Sequence, residues 1–234
     1  MKDWFPFTDY DFYAYITAGM VVLFSLDYGF NNGLIMWREE WPFVHIVFII
    51  AMAYLIGQIT AGLASILLEH WITRRVLRSP VAVMLELGKP ASSERFIGRW
   101  VVGRYYEPLP DNTRLAILKA AAENLEKKVE DINDPEDVFQ SAFPIARTVS
   151  DAAARMDDFR KLYGFSRNVA LSGLVGAGAL LYRAVMMDEY NLYWWVFVTT
   201  ICSAILFGRF LKFYAAYGAE VLRTYASVAA KRGR

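Results

Sequence analysis

The sequence predicts an all-α polytopic membrane protein, with four transmembrane helices and a helical cytoplasmic domain inserted between the second and third. Three observations predict it. The 234 residues are 56% hydrophobic and 16% aromatic, yet 21% charged, a mixture that suits membrane spans joined to a soluble part. Four stretches are apolar over about 20 residues, the length a helix needs to cross the hydrocarbon core. Lys and Arg gather at one set of stretch ends.

The first span is expected from about Tyr13 to Ile35, with Asp27 and Asn31 in its outer half. It lacks a basic leader and a small-residue cleavage site, so it is read as a retained helix. The second runs from about Phe43 to Leu68, the third from Val169 to Met187 and the fourth from Trp194 to Tyr214. Arg74, Arg75 and Arg78 follow the second span, and Arg160, Lys161 and Arg167 precede the third. Arg209 and Lys212 close the fourth, before Arg223, Lys231, Arg232 and Arg234. The positive-inside rule therefore puts these ends and both termini in the cytoplasm. Trp37, Trp41, Tyr190, Tyr193, Trp194 and Trp195 cluster on the opposite side, where their amphipathic rings suit the headgroup layer.

Four regions follow: residues 1–69 with spans one and two, 70–166 as the cytoplasmic domain, 167–215 with spans three and four, and a helical extension over 216–234. In the domain, Leu115, Leu118, Ala122, Leu125, Val129 and Ile132 recur at three and four and predict one helical face. Asp134-Pro135-Glu136-Asp137 reads as an N-cap, a proline at the first helical position and acids in the first turn; the short helix it opens is expected to stop near Pro144. Ile145, Val149, Ala152, Met156, Phe159 and Tyr163 form a second stripe, with Gly164 as a breaker before the third span. Beyond Phe210, Tyr214, Tyr217, Val221, Thr224 and Val228 continue the fourth helix with an apolar seam. Its partner is either the inserted domain or the same helix of another subunit.

Chemistry is sparse. Cys202 is the only cysteine, and His45 and His70 are the only histidines, which excludes a disulfide framework, a thiolate metal site and a His-rich cluster. No metal and no cofactor is expected. A net charge of +1 gives no global field for nucleic acid. Gly57, Ala61 and Ser65, and Ser172 and Gly176, repeat every four residues. They suit close helix packing, within one subunit or at a seam or narrow pore wall between subunits. Asp27, Gln58 and Thr60 are the polar groups at membrane depth taken as pore-lining candidates; several copies of Asp27 around an axis would form a cation-attracting ring.

The domain's basic stretch, Arg74 to Arg104, satisfies the positive-inside rule and suits anionic lipid. Within it and just beyond, Arg95, Arg99, Arg104, Tyr105 and Tyr106 interleave guanidiniums with aromatic rings. They are the ligand-binding candidates for a nucleotide or a short single-stranded nucleic acid, through phosphate neutralisation and base stacking. Glu69 and His70 beside Arg74 and Arg75 are a weaker, enzymatic alternative: a phosphoryl or lipid site at the membrane surface. Sequence neighbours diverge by about 100° on a helix, and no G-x-S-x-G, H-E-x-x-H or phosphate-binding glycine loop supports it.

The stretch YLIGQITAGLASILLEHWITRR from Tyr54 to Arg75, with LYGFSRN from Leu162 to Asn168 and the run from Phe210 to Tyr225, resembles small bacterial four-span effectors of anti-phage defence. The channel partners of Hailong-type systems are among them. The resemblance covers most of the chain in topology and pattern and carries no functional residue across. It implies a homo-oligomeric ion channel, held or opened by a nucleotide-derived ligand or a partner protein. The alternative from another class is a membrane anchor whose inserted domain recruits a soluble partner.

Overall fold

The computed structural model describes residues 12–30, 33, 35, 39–88 and 107–232, with side chains from Ala14 to Lys231. Among the described residues the fold is all-helical. A π-helical turn, Phe12–Ile16, leads into α1 (Thr17–Gly29). α2 (Phe43–Ala64) widens into a π-helical segment, Ser65–Leu77. Then come α3 (Pro80–Leu85), α4 (Asp111–Leu125), α5 (Pro135–Ala146), α6 (Ser150–Met186) and α7 (Leu192–Arg232).

Three helical stretches are long and apolar enough to cross a membrane: Phe43–Leu85, Ser150–Met186 and Leu192–Lys231. They contain the second, third and fourth spans read from the sequence. The first apolar helix, Ala14–Gly29, is shorter. It ends at Gly29, where the expected span continued to Ile35. Asp27 shows why the chain turns there. Its carboxylate accepts a hydrogen bond from the Ile35 backbone N–H at 3.1 Å, which holds Ile35 at the helix end.

Contacts divide the chain into two compact units. The first comprises residues 1–69 and 164–210. Small residues let its helices touch. A Cβ at Gly19 would overlap the Ala53 carbonyl, and one at Gly57 would overlap the Tyr15 carbonyl, so α1 and α2 meet backbone to backbone. Gly176 lies against Ser25 and Gly29 against Ala179, which seats α6 on α1; Gly173 lies against Ser203 and seats α7 on α6. Ala64, Leu68, Ala170 and Leu171 close the bundle with Leu206 and Phe207. Outside this packing, large apolar side chains are exposed, among them Phe43, Val44, Phe48, Ile59, Trp194 and Ile205. A bundle that turns small residues inward and large apolar ones outward is compatible with lipid as solvent.

The second unit comprises residues 70–163 and 211–234. Its core joins Met84 and Leu85 of α3, Ile117 and Ala121 of α4, Val138 and Ala142 of α5, Ala152 and Met156 of α6, and Ala215, Val221, Leu222 and Tyr225 of α7. The apolar seam of the tail therefore packs on the inserted segment of its own chain. Tyr225 is 1% exposed, and its hydroxyl accepts a hydrogen bond from Asn124 Nδ2 at 2.6 Å. Arg155 clasps Glu220 through Nε and Nη2, at 2.9 and 2.6 Å. Arg78, at φ 68°, ends the π-helical segment and donates from Nη2 to the carbonyls of Ala82 and Leu87, closing the short helix α3.

The caps and breaks correct the sequence reading in places. Asp134 caps α5 through Oδ1 to the Glu136 N–H at 2.9 Å, with Pro135 at the first position, as the motif predicts. Pro144 does not stop that helix, which reaches Ala146. α4 stops at Leu125, because Glu126 adopts the left-handed conformation. Val129 thus belongs to a separate 3₁₀ turn (Val129–Asp131), and the buried face of α4 centres on Ile117 and Ala121 while Leu115 stays exposed. Gly164 does not break α6. It is buried inside a 37-residue helix, where packing outweighs the roughly 1 kcal/mol that glycine costs a helix interior.

Candidate functional site

The polar groups of the apolar unit were the sequence's candidates for function, and most of them satisfy themselves. Thr60 is buried, and its hydroxyl donates to the Ile56 carbonyl one turn back at 2.8 Å. Ser172, Thr200 and Ser203 make the same bond to Asn168, Val196 and Thr199, at 3.0, 2.7 and 2.9 Å. Short hydroxyl side chains can reach the preceding turn, so they ride in an apolar helix without another partner. Asp27 is 5% exposed and holds the Ile35 N–H.

Gln58 is the exception. Its side chain is exposed, and it has no hydrogen-bond partner among the described residues. A carboxamide has two donors and an acceptor, and its length carries them away from the preceding turn. The three pore candidates are therefore not brought to one surface of a single chain: Asp27 and Thr60 are buried, and Gln58 is outward.

At the far end of α6, Arg183 draws the loops together. It is 9% exposed. Nη1 donates to the Tyr28 carbonyl, Nε and Nη2 both donate to Glu189 Oε1, and the guanidinium lies over the Tyr28 ring. A planar cation with several donors is suited to binding a carbonyl, a carboxylate and a ring face together. Among the described residues, this clasp and the Asp27 bond tie α1 to the segments that follow α1 and α6. No motif in the sequence singles out Arg183.

The residues of the enzymatic alternative have separate engagements. Glu69 forms an ion pair with Arg167 of α6, and both side chains are largely buried. Next to it Asn168 is fully buried, and its Nδ2 has no hydrogen-bond partner among the described residues. Arg74 pairs with Glu136 at 3.5 Å, and Arg75 stacks over Trp71 at 5.1 Å. His70 is exposed. No group of three or more metal-ligating side chains occurs among the described residues.

The ligand candidates Arg95, Arg99, Arg104, Tyr105 and Tyr106 lie outside the described residues. The chain immediately after them, Glu107 to Pro110, lines a groove of about 570 Å³ in the second unit. Met84 and Phe159 give it apolar surface, and Glu220 and Arg223 give it charge. That volume falls in the range of small-molecule sites. A smaller groove of about 320 Å³ runs beside Asn124 and Tyr225.

These features define a class: an all-helical protein whose apolar unit is composed for a membrane, joined to a second helical unit with its own core. No protein-family model, no curated protein and no solved structure matches the chain.

Proposed function

We propose that this chain is the subunit of a homo-oligomeric ion channel of the bacterial inner membrane, of the kind used as anti-phage defence effectors. In this reading Ala14–Gly29 completes a set of four membrane-crossing helices, both termini are cytoplasmic, and the second unit is the cytoplasmic regulatory domain. A nucleotide-like ligand or a protein partner binds that domain and shifts a closed–open equilibrium by binding the two states unequally.

The observation that carries the proposal is the continuity of α6 and α7. Each is a single unbroken helix that contributes residues to both units, with the division at Tyr163–Gly164 in α6 and at Phe210–Leu211 in α7. A membrane anchor needs no such sharing, since a linker would do. The groove bordered by Glu107 to Pro110, which directly follow Arg95, Arg99, Arg104, Tyr105 and Tyr106 in the sequence, supports a ligand site in the regulatory domain. Of the pore candidates, Gln58 is the one whose exposure in a single chain leaves it free to meet an axis.

Reconstitution of the purified full chain in planar bilayers tests the proposal. Cation current that changes on adding nucleotides or a cytoplasmic partner is expected. A folded oligomer that passes no current under any of these conditions overturns it.

The adaptor reading, four spans as an anchor with the inserted domain recruiting a soluble partner, is favoured by the tight packing within one bundle, of Gly19 and Gly57 on facing backbone and of Gly176 on the Ser25 side chain. A monomer in mild detergent would select it. The enzymatic reading has less support, because the Glu69 carboxylate is already held by Arg167.

A further inference from the structure

Gln58 stands 15 residues after Phe43 and 10 before Leu68 along an otherwise apolar stretch. At 1.5 Å per residue it is about 22 Å from one end and about 15 Å from the other. Hydrocarbon offers an exposed carboxamide nothing to bond. Leaving such a group unpaired there costs several kcal/mol by transfer measurements.

Its neighbours along the helix are not typical of a lipid-facing surface. Ala51, Leu55, Gln58, Gly62 and Ser65 follow one another at spacings of four, three, four and three. Those spacings form a single seam of period 3.5. The first four residues are exposed, and a Cβ at Gly62 would meet no atom within 4 Å. Ile59 and Leu63, exposed elsewhere on α2, are large and apolar. From Gln58 through Gly62 to Ser65 the seam is small and polar; Leu55, the large apolar residue within it, and Phe48 and Val44 continue the same face toward Phe43 as apolar surface.

We propose that this face is the subunit seam: it packs on the same face of a second copy, with the Gln58 carboxamides hydrogen-bonded to each other inside the membrane. The inference rests on the membrane-embedded, homo-oligomeric reading above and adds the surface, the register and the residue that locks it. The occupant follows from symmetry. Copies inserted by the same charge rule share one orientation, so they are related by an axis along the membrane normal, and equivalent residues meet at equal depth. Gln58 therefore meets Gln58, and a carboxamide is its own complement, donor to one copy and acceptor from the next. Gly62, one turn away, allows the backbones the close approach that this bond requires.

Cysteine cross-linking of the full chain in native membranes tests the seam, in a Cys202→Ser background. Oxidation is expected to give covalent dimers with Ala51→Cys and with Leu55→Cys, and none with Ile59→Cys or Leu63→Cys. Gln58→Leu is expected to weaken association by roughly three- to thirty-fold, the range of interhelical polar bonds in membranes. It should leave the fold intact, because Gln58 bonds to none of the described residues of its own subunit. Native mass measurement separates the failures. An oligomer that cross-links only at Ile59 or Leu63, or at none of the four positions, overturns the seam and spares the oligomeric reading. A monomer overturns both.

Discussion

The guanidinium of Arg183 donates to the backbone carbonyl of Tyr28 at 2.8 Å while lying 4.1 Å from the centre of the Tyr28 ring. Two residues 155 apart in sequence are thereby joined by a bond and a ring contact, and the same cation holds Glu189 with its remaining donors.

Arg183→Gln should therefore loosen the end of the apolar unit. The Tyr28 carbonyl loses its donor, and Glu189 is returned to a half-exposed position where water can serve it. We expect a loss of about 1–3 kcal/mol, read as a lower unfolding midpoint by tryptophan fluorescence in detergent. Arg183→Lys should fall between the two, because an ammonium keeps the charge but cannot reproduce the planar fork.

Two glycines in one bundle should answer alanine in opposite directions. Gly19→Ala drives a methyl into the Ala53 carbonyl, where only backbone movement can relieve it. The expected cost is about 1–3 kcal/mol, the range for overpacking. Gly178→Ala meets no atom within 4 Å, so the helix should gain about 0.5–1 kcal/mol. Thermal melts of the two variants beside wild type decide the matter.

Removing the tail should undo the inserted domain. Ala215, Val221, Leu222 and Tyr225 are all buried in that core. A stop codon at position 215 should make residues 107–163 sensitive to limited proteolysis, while residues of the apolar unit keep slow hydrogen exchange. Tyr225→Phe is the mild counterpart. It removes only the bond to Asn124, for about 0.5–1.5 kcal/mol.

Glu69 and Arg167 should behave as one unit. Neutralising either leaves the other charge largely buried, so the double variant Glu69→Gln/Arg167→Gln should cost less stability than the two single variants added together. A coupling of about 1–3 kcal/mol in a double-mutant cycle is expected for residues in such contact. A coupling near zero would return Glu69 to the enzymatic reading.

Much of the architecture could be read from the residues because it rests on local rules. The Asp134-Pro135 helix start, the apolar stretches beginning at Phe43 and near Leu192, and the extension past Tyr214 each depend on capping, length or periodicity. What could not be read depends on tertiary detail. Gly164 has a breaker's propensity, yet it is buried in α6. The Leu115–Ile132 stripe matched helical spacing, but a left-handed Glu126 cut it, a turn that periodicity does not encode. Thr60 and Gln58 were equivalent as polar residues in a span. The hydroxyl reaches its own helix and the carboxamide does not, and only the packing of α1 on α2 tells which one faces outward. The Arg183 clasp joins segments too far apart in sequence for any window to pair them.

One consequence concerns the ribosome. Because Tyr225 shares a core with Ile132 and Val138, the inserted segment is made long before the residues that complete it. At bacterial rates of about 5–20 residues per second, that wait lasts roughly 5–20 s. The helix Ser150–Met186 and most of the helix that begins at Leu192 are translated in the interval, so the core stays open while they are made. A nascent chain stalled before Val221 would display an open apolar surface to chaperones and proteases.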